Sequence, residues 1–443
     1  MDKNELLTKV KKDKVKFVNL QFSDFMGMVK SVTIPVGELK DALKDGVWFD
    51  GSSVEGYMRV HESDMYLNPD IDTYAVIPWL SDDKIKTARL ICDVHNPNGK
   101  PFQGDPRHIL KKVLKEAKDM GYKFNVGPEP EFFLFKKENV IKTLTHDVGG
   151  YFDLSMDKAF KIRAEMTNAL SKFGIKVEMG HHEVAPGQHE IDFEYADALT
   201  AADNVITFKF TLKAIANLHE LHATFMPKPI FGINGSGMHC HQSLADIHTG
   251  KNLFYNKNDK YKLSKIAKSF VEGQLKNIKG MSAVLSPLVN SYKRLVPGYE
   301  APVYVCWANV NRSALIRIPG IPEGKSQSTR AELRCPDPSC NPYLAFAVML
   351  KSGLTGIKQN LSLRDPVEED VYEFDDSKLK KHYIETLPGS LYEAIKEMKE
   401  NEMVRNTLGK DTFKKYLKTK TAEWDEYRLT VHDWEIEKYL KVY

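Results

Sequence analysis

The 443-residue chain carries 63 basic and 60 acidic side chains, a formal net charge of +3, with 42% hydrophobic and 28% charged residues. This composition is ordinary for a globular chain, and the charge balance excludes the clustered basic excess of a broad nucleic-acid-binding surface. No run approaches the ~18 apolar residues of a membrane span. The charged start MDKNELLTKVKKDK lacks a signal core, and five cysteines without a CxxC pair read as reduced thiols, so a cytoplasmic protein is expected.

At about 150 residues per domain the length predicts two or three domains. Strands are expected over 15–22, 29–34, 74–77 and 89–94, with a helix near 36–45, which suggests a small α+β domain. The run Asn96-Pro97-Asn98-Gly99-Lys100-Pro101 suits neither helix nor strand and marks a boundary, placed between 103 and 104. Asp105-Pro106 then reads as a helix cap with proline at the first helical position. Ile109, Leu110, Val113, Leu114 and Ala117 recur at helical spacing until Gly121. Beyond it, strands are expected over 124–135, 176–183, 190–194, 223–226, 238–244 and 331–334. Helices are expected over 160–173, 199–222, 264–279 and 343–359, and the Lys- and Glu-rich last sixty residues should be largely helical. The fold class is α+β, with no Rossmann or P-loop phosphate motif.

The unusual chemistry lies on the expected strands. In Gly127-Pro128-Glu129-Pro130-Glu131-Phe132-Phe133-Leu134-Phe135 two glutamates stand at i and i+2, on one strand face and about 6.6 Å apart. A single such pair is more often a solvated acidic edge. Three further segments change that weighting: His181-His182-Glu183-Val184-Ala185-Pro186-Gly187-Gln188-His189-Glu190, Gly232-Ile233-Asn234-Gly235-Ser236-Gly237-Met238-His239-Cys240-His241, and Thr329-Arg330-Ala331-Glu332-Leu333-Arg334. Together they offer many oxygen ligands and few nitrogen ones, the mixture preferred by Mg²⁺ or Mn²⁺ over zinc. Arg294, in Asn290-Ser291-Tyr292-Lys293-Arg294-Leu295-Val296-Pro297-Gly298-Tyr299-Glu300-Ala301-Pro302, is followed by Arg312 and Arg317. Hard cations with arginines form a phosphoryl-transfer pattern.

These segments, with Asp50-Gly51-Ser52-Ser53, resemble type I glutamine synthetase in the family's order, from about Val15 to Tyr443. The lack of an Asn-Leu-Tyr-Asp-Leu-Pro segment resembles the alpha subdivision, so control by adenylylation is not expected. The resemblance implies a β-grasp-like N-terminal domain (1–103) and a catalytic domain (104–443) with a curved antiparallel sheet flanked by helices. It implies a homo-dodecamer of two stacked hexameric rings, the C-terminal helix around Trp434 embedded in the opposite ring. Some relatives also respond to 2-oxoglutarate or to small nitrogen-regulatory proteins, which are potential partners.

Residue by residue, the resemblance assigns Glu131, Glu183 and Glu190 to one metal and Glu129, His239 and Glu332 to a second. Two or more Mg²⁺ (or Mn²⁺) ions per active site are implied, with ATP as co-substrate. Glu178, His241, Ser243, Arg317 and Arg330 match nucleotide contacts, and Lys325 is a candidate for a further nucleotide-contacting lysine of some members. Asn234, Gly235, Arg294, Glu300, Arg312 and Arg334 match the substrate grip. Asp50 and Ser53 of a neighbouring subunit, with Tyr151, Glu183 and Glu300, match an ammonium pocket, in which Asp50 would remove a proton. Arg59 matches an arginine of glutamine feedback. The implied reaction makes glutamine from glutamate, ammonium and ATP. The alternatives are an amine or polyamine ligase on the same fold and a non-catalytic regulatory homologue.

Overall fold

The computed structural model describes residues 1–54, 64–137, 143–299, 301–309, 311 and 313–443. Its strands are β1 (Val15–Ser23), β2 (Val29–Pro35), β3 (Val47–Asp50), β4 (Asp64–Val76), β5 (Lys86–His95), β6 (Tyr122–Lys136), β7 (Val177–His182), β8 (Gln188–Phe193), β9 (Ala196–Asp197), β10 (Leu221–Thr224), β11 (Met238–Asp246), β12 (Tyr304–Ala308), β13 (Ala314–Arg317) and β14 (Ala331–Leu333).

Among the described residues β1–β5 form one mixed sheet in the order β2-β1-β5-β4-β3, with β1 and β5 parallel and the other pairs antiparallel. Val18, Leu20, Leu67, Leu90 and Val94 supply its core. The helix Lys3–Lys12, which charge alone conceals, adds Leu6 and Val10 to that core. A capping box starts it: Asp2 accepts from the Glu5 amide and the Glu5 carboxylate accepts from the Asp2 amide.

The strands from β6 onward form a second sheet, β12-β13-β14-β11-β6-β8-β7, with β9 and β10 also paired to β6. It is antiparallel except between β12 and β13. The expected strand 74–77 proves to be the end of the much longer β4, whose register breaks between Asp70 and Ala75. The sequence pattern does not predict β3, β9, β12 or β13; β3 and β9 are only four and two residues long, and β12 is buried at every position and shows no alternation. The helices Pro106–Asp119, Phe160–Lys172, Ala198–Leu218, Lys265–Leu285 and Pro342–Lys358 match those expected within a few residues, except that the second-last runs on to Leu285. The C-terminal region holds Leu391–Glu400, Glu402–Leu408, Lys410–Leu429 and Asp433–Tyr439. Among the described residues no helix is long and apolar enough to cross a membrane.

Two polar devices join the sheets. Asn341 caps Pro342–Lys358 and donates from Nδ2 to the carbonyls of Asp24 (3.1 Å) and Phe25 (3.2 Å), and Phe25 itself lies in the larger core. Arg107 donates to both oxygens of Asp203 (3.0 and 2.9 Å), to Asp93 (2.8 Å) and to Asp70 (2.7 Å), tying β4 and β5 to Ala198–Leu218.

Candidate active site

The long strand β6 changes partner at Glu131. Met238–Asp246 pairs with it from Tyr122 to Pro130, and Gln188–Phe193 pairs from Glu131 to Phe133. Strand alternation sorts its side chains. Phe124, Val126, Phe132 and Leu134 enter the large core, leaving Glu129 and Glu131 on the other face. The same period turns Met238 and Cys240 inward on β11 and presents His239, His241 and Ser243. On β8, Ile191 and Phe193 go to the core while Gln188, Glu190 and Asp192 share the open face. Register completes the cluster: Glu190 stands opposite Glu131, His239 opposite Glu129, and Glu332 opposite both His241 and Arg317.

Two groups have donor atoms close enough to share a cation: Glu129 with His241 and Glu332, and His181 with Glu183 and Glu190, each set within 4.8 Å. Each differs by one residue from the expected set. His241 Nε2 lies 2.8 Å from Glu129, nearer than His239 Nδ1, which is 3.8 Å from Glu129 and 3.7 Å from Glu332. His181 Nε2 lies 3.1 Å from Glu190. Glu131 faces the glycine loop instead, accepting from Gln188 Nε2 (2.7 Å) and the Gly237 amide (3.1 Å). A Cβ at Gly237 would come within 2.5 Å of Arg294 Nη2, so glycine here is what lets that loop sit beside the guanidinium. Arg294 donates to the carbonyls of Cys335 (2.9 Å) and Arg334 (3.1 Å).

Electrostatics divides the cluster. Burial, then the charge of Glu183, pushes Glu131 up to about 8 although Arg294 opposes it. Burial and the neighbouring Asp192 and Glu131 raise Glu190 well above the carboxylate range. Burial and Glu129 raise Asp192 to about 7. Burial would raise Glu129 and Glu332 too, yet both are lowered: nearby His239 and the hydrogen-bonded His241 hold Glu129 down, while the charges of those histidines, Arg334 and Arg317 hold Glu332 down. On the protein alone, then, part of this face is neutral only by holding protons. Divalent cations would replace those protons, and a donor set of mostly carboxylates fits hard cations.

Beside this face lies a cavity of about 350 Å³ lined by Glu178, Asp192, Tyr195, His241, Ser243 and Arg330, with Glu129 also on its wall. Arg330 Nε donates to His241 Nδ1 at 3.1 Å. The expected nucleotide arginine Arg317 instead approaches Glu332 at 2.6 Å, and Arg334 Nε approaches the other oxygen at 3.2 Å. Arg334 Nη1 is buried with no hydrogen-bond partner among the described residues. Gly235 lies under Lys228 and Arg294, where a Cβ would meet the Pro227 carbonyl at 2.2 Å. Tyr151 stands edge-on to His181 at 5.5 Å. Asp50 ends β3 on the other sheet, its Oδ1 accepting from the Ser52 amide (2.8 Å) and hydroxyl (2.7 Å). Ser53 follows in the turn Gly51–Ser53. Arg59, Glu300 and Arg312 lie outside the described residues.

Residues 103–439 match the family model of the glutamine synthetase catalytic domain, and residues 14–97 match that of the glutamine synthetase β-grasp domain. The chain belongs to the glutamine synthetase family. Relatives named Glutamine synthetase include that of Clostridium saccharobutylicum, 52% identical over 100% of this chain and 99% of that one. That of Thermus thermophilus is 50% identical over 100% and 99%, and that of Staphylococcus aureus strain MRSA252 is 49% identical over 100% and 98%. A solved GmaS/ADP complex superposes with a TM-score of 0.89 at 31% identity, covering 98% of this chain and 99% of that one. Glutamine synthetases generally use ATP and divalent metals, which suits the carboxylate face and cavity of this chain.

Sequence reasoning left two residues of this glutamine synthetase site without a role. Asp192 was visible as the i+2 partner of Glu190, the same spacing that singled out Glu129 and Glu131. His181 was part of a quoted motif, but only the fold of β7 against β8 decides which of two adjacent histidines faces the carboxylates. Its neighbour His182 turns away, with Nε2 3.0 Å from buried Asp147. His146, Asp147 and His189 form a third cluster. It does not suit a cation, because Arg163 donates to His189 Nδ1 at 3.1 Å and brings its own positive charge.

Proposed function

We propose that the protein ligates ammonium to the γ-carboxylate of L-glutamate at the expense of ATP, through γ-glutamyl phosphate, giving glutamine, ADP and phosphate. The observation that carries this reading is the carboxylate–histidine face flanked by arginines and a cavity, in a chain about half identical over its full length to relatives named Glutamine synthetase. In this reading Glu129, Glu131, Glu183, Glu190, His239 and Glu332 hold two or more Mg²⁺ (or Mn²⁺) ions, with His241 and His181 beside the carboxylates. Bound cations supply charge neutralisation for the phosphates.

Glu178, His241, Ser243, Arg317 and Arg330 bind ATP in this proposal, and Asn234, Gly235, Arg294, Arg312 and Arg334 hold glutamate. Positioning brings a γ-carboxylate oxygen in line with the terminal phosphorus, the P–O bond to ADP breaks, and Arg312 balances the moving charge. The acyl phosphate hydrolyses readily, so Glu300 covers it against water. Ammonium enters a pocket of Asp50 and Ser53 from a neighbouring subunit with Tyr151, Glu183 and Glu300. Asp50 takes its proton, ammonia attacks the acyl carbon, and phosphate leaves. Such sharing accords with Asp50 lying on the other sheet from Glu183 within one chain.

The same reading makes the protein a cytoplasmic member of the alpha subdivision, with domains 1–103 and 104–443, assembled as a dodecamer of two hexameric rings. Exposed Trp434, Ile436 and Tyr439 on the last helix supply apolar side chains for contact between rings. Arg59 serves glutamine feedback, and small nitrogen-regulatory proteins are candidate effectors. The test is a product assay with ATP, Mg²⁺ and glutamate, offering ammonium beside ethanolamine and polyamines. Glutamine is expected. An amine adduct without glutamine would replace this reading with an amine ligase, and no product from any acceptor would favour a regulatory homologue.

A further inference from the structure

Lys228 is buried, only 8% exposed, and none of the roles above uses it. Its backbone is pinned from both sides by one side chain: the Lys228 amide donates to Asn290 Oδ1 (2.8 Å), and Asn290 Nδ2 donates to the Lys228 carbonyl (3.0 Å). Asn290 immediately precedes the short helix Ser291–Arg294, so this pair fixes the base of Arg294. The loop that follows Lys228 closes on itself, the Ser236 amide donating to the Pro227 carbonyl at 2.8 Å. Across that closure Lys228 Nζ donates to the carbonyl of Ile233, the residue before Asn234. The ammonium also sits over the ring of Tyr299, 3.9 Å from its centroid. The aliphatic stem runs beside Gly235, where a Cβ would lie 3.2 Å from Lys228 Cδ and 3.3 Å from Arg294 Cγ.

One side chain therefore touches the glycine loop, the Arg294 helix and the Leu295–Tyr299 segment. Among the described residues the ammonium meets the Ile233 carbonyl and the Tyr299 ring, and a buried ammonium is held by such contacts, since leaving either unmade carries a desolvation cost. We infer that Lys228 is a positioning residue for the amino-acid substrate, locking the glycine loop and the Tyr299 segment in one register about Arg294. It acts on the glutamate side of the site and not on the cavity assigned to nucleotide, whose lining contains none of these residues. The inference rests on the function proposed above for its substrate and on the geometry alone for the lock.

The test uses the full-length enzyme and Lys228→Met, Tyr299→Leu and the double variant. Lys228→Met keeps an unbranched stem as far as the Cε position and removes the ammonium group. The expected result is a roughly tenfold rise in glutamate KM with ATP KM changed less than about twofold, and a double variant little worse than either single. Amide hydrogen exchange should quicken in 229–236 and 291–299 in the variants and stay unchanged in 125–129 and 241–243. Equal rises in both KM values, or full additivity, would overturn the lock, as would unchanged exchange. If Lys228→Met fails to fold, Tyr299→Leu alone carries the same comparison. If the wild type makes no glutamine, the proposed function falls while the exchange measurements still decide the lock.

Discussion

Replacing Arg107 by Met removes the strongest polar tie between the two sheets. The guanidinium is 3% exposed and makes four hydrogen bonds to three aspartates. Two of those aspartates have other support: Lys111 remains 2.6 Å from Asp93, and Asp70 is a quarter exposed. Asp203 is different, since it is nearly buried and would keep, among the described residues, a single side-chain donor, the Tyr343 hydroxyl at 2.6 Å, with the buried Arg89 guanidinium acting on it only through its charge. Stranding one buried carboxylate costs about 3–5 kcal/mol. The loss falls on the docking of β4 and β5, so it should appear as local opening before global unfolding. Amides of β5 should then exchange roughly 10²- to 4 × 10³-fold faster at constant pH, because each 1.4 kcal/mol is about tenfold. The double variant Arg107→Met with Asp203→Leu removes the stranded charge and should recover most of that protection. An increase below about tenfold in the single variant, or no recovery in the double, would refute this account.

Burial pushes Asp105 up to about 7, well above its unfolded value, so its stabilising contribution is complete at acid pH and disappears as pH rises through about 7. Wild type minus Asp105→Asn stability should therefore fall with pH between about 4 and 7, at no more than about 1.4 kcal/mol per unit, as read from denaturant midpoints. A flat difference would count against it. Gly235→Ala forces a Cβ against the Pro227 carbonyl and should lower kcat/KM for glutamate at least about tenfold with ATP binding by calorimetry retained. Above about pH 8, where Glu131 would carry its charge, Glu131→Gln should relieve the repelling cluster and raise the melting temperature of the metal-free protein, while weakening Mn²⁺ binding at least about tenfold. Unchanged Mn²⁺ affinity would remove Glu131 from the ligand set.

The parts legible in the sequence are those governed by local alternation. The spacing Glu129-x-Glu131 and the run from Arg330 to Arg334 fix which side chains share a face, and β6 and β14 place them so. What alternation cannot specify is the pairing of strands distant in sequence. Glu131 and Glu190 become neighbours only through a register between segments about sixty residues apart, and the same register brings Gln188 onto Glu131. That is why the two cation sets differ from expectation by a histidine each: both candidates lie on correctly predicted strands, and side-chain reach across the sheet selects between them. The tie at Arg107 was hidden for a related reason. Its aspartates are scattered from Asp70 to Asp203, and each alone resembles a solvated surface carboxylate. Lys228 is the extreme case, because a lysine in Met-Pro-Lys-Pro has no pattern of its own. Its significance comes from three partners, Asn290, Ile233 and Tyr299, that only the closed loop assembles. Residues that carry charge onto a substrate therefore announce themselves by type and spacing, whereas residues that hold those carriers in place are defined by contacts and stay silent until the chain folds.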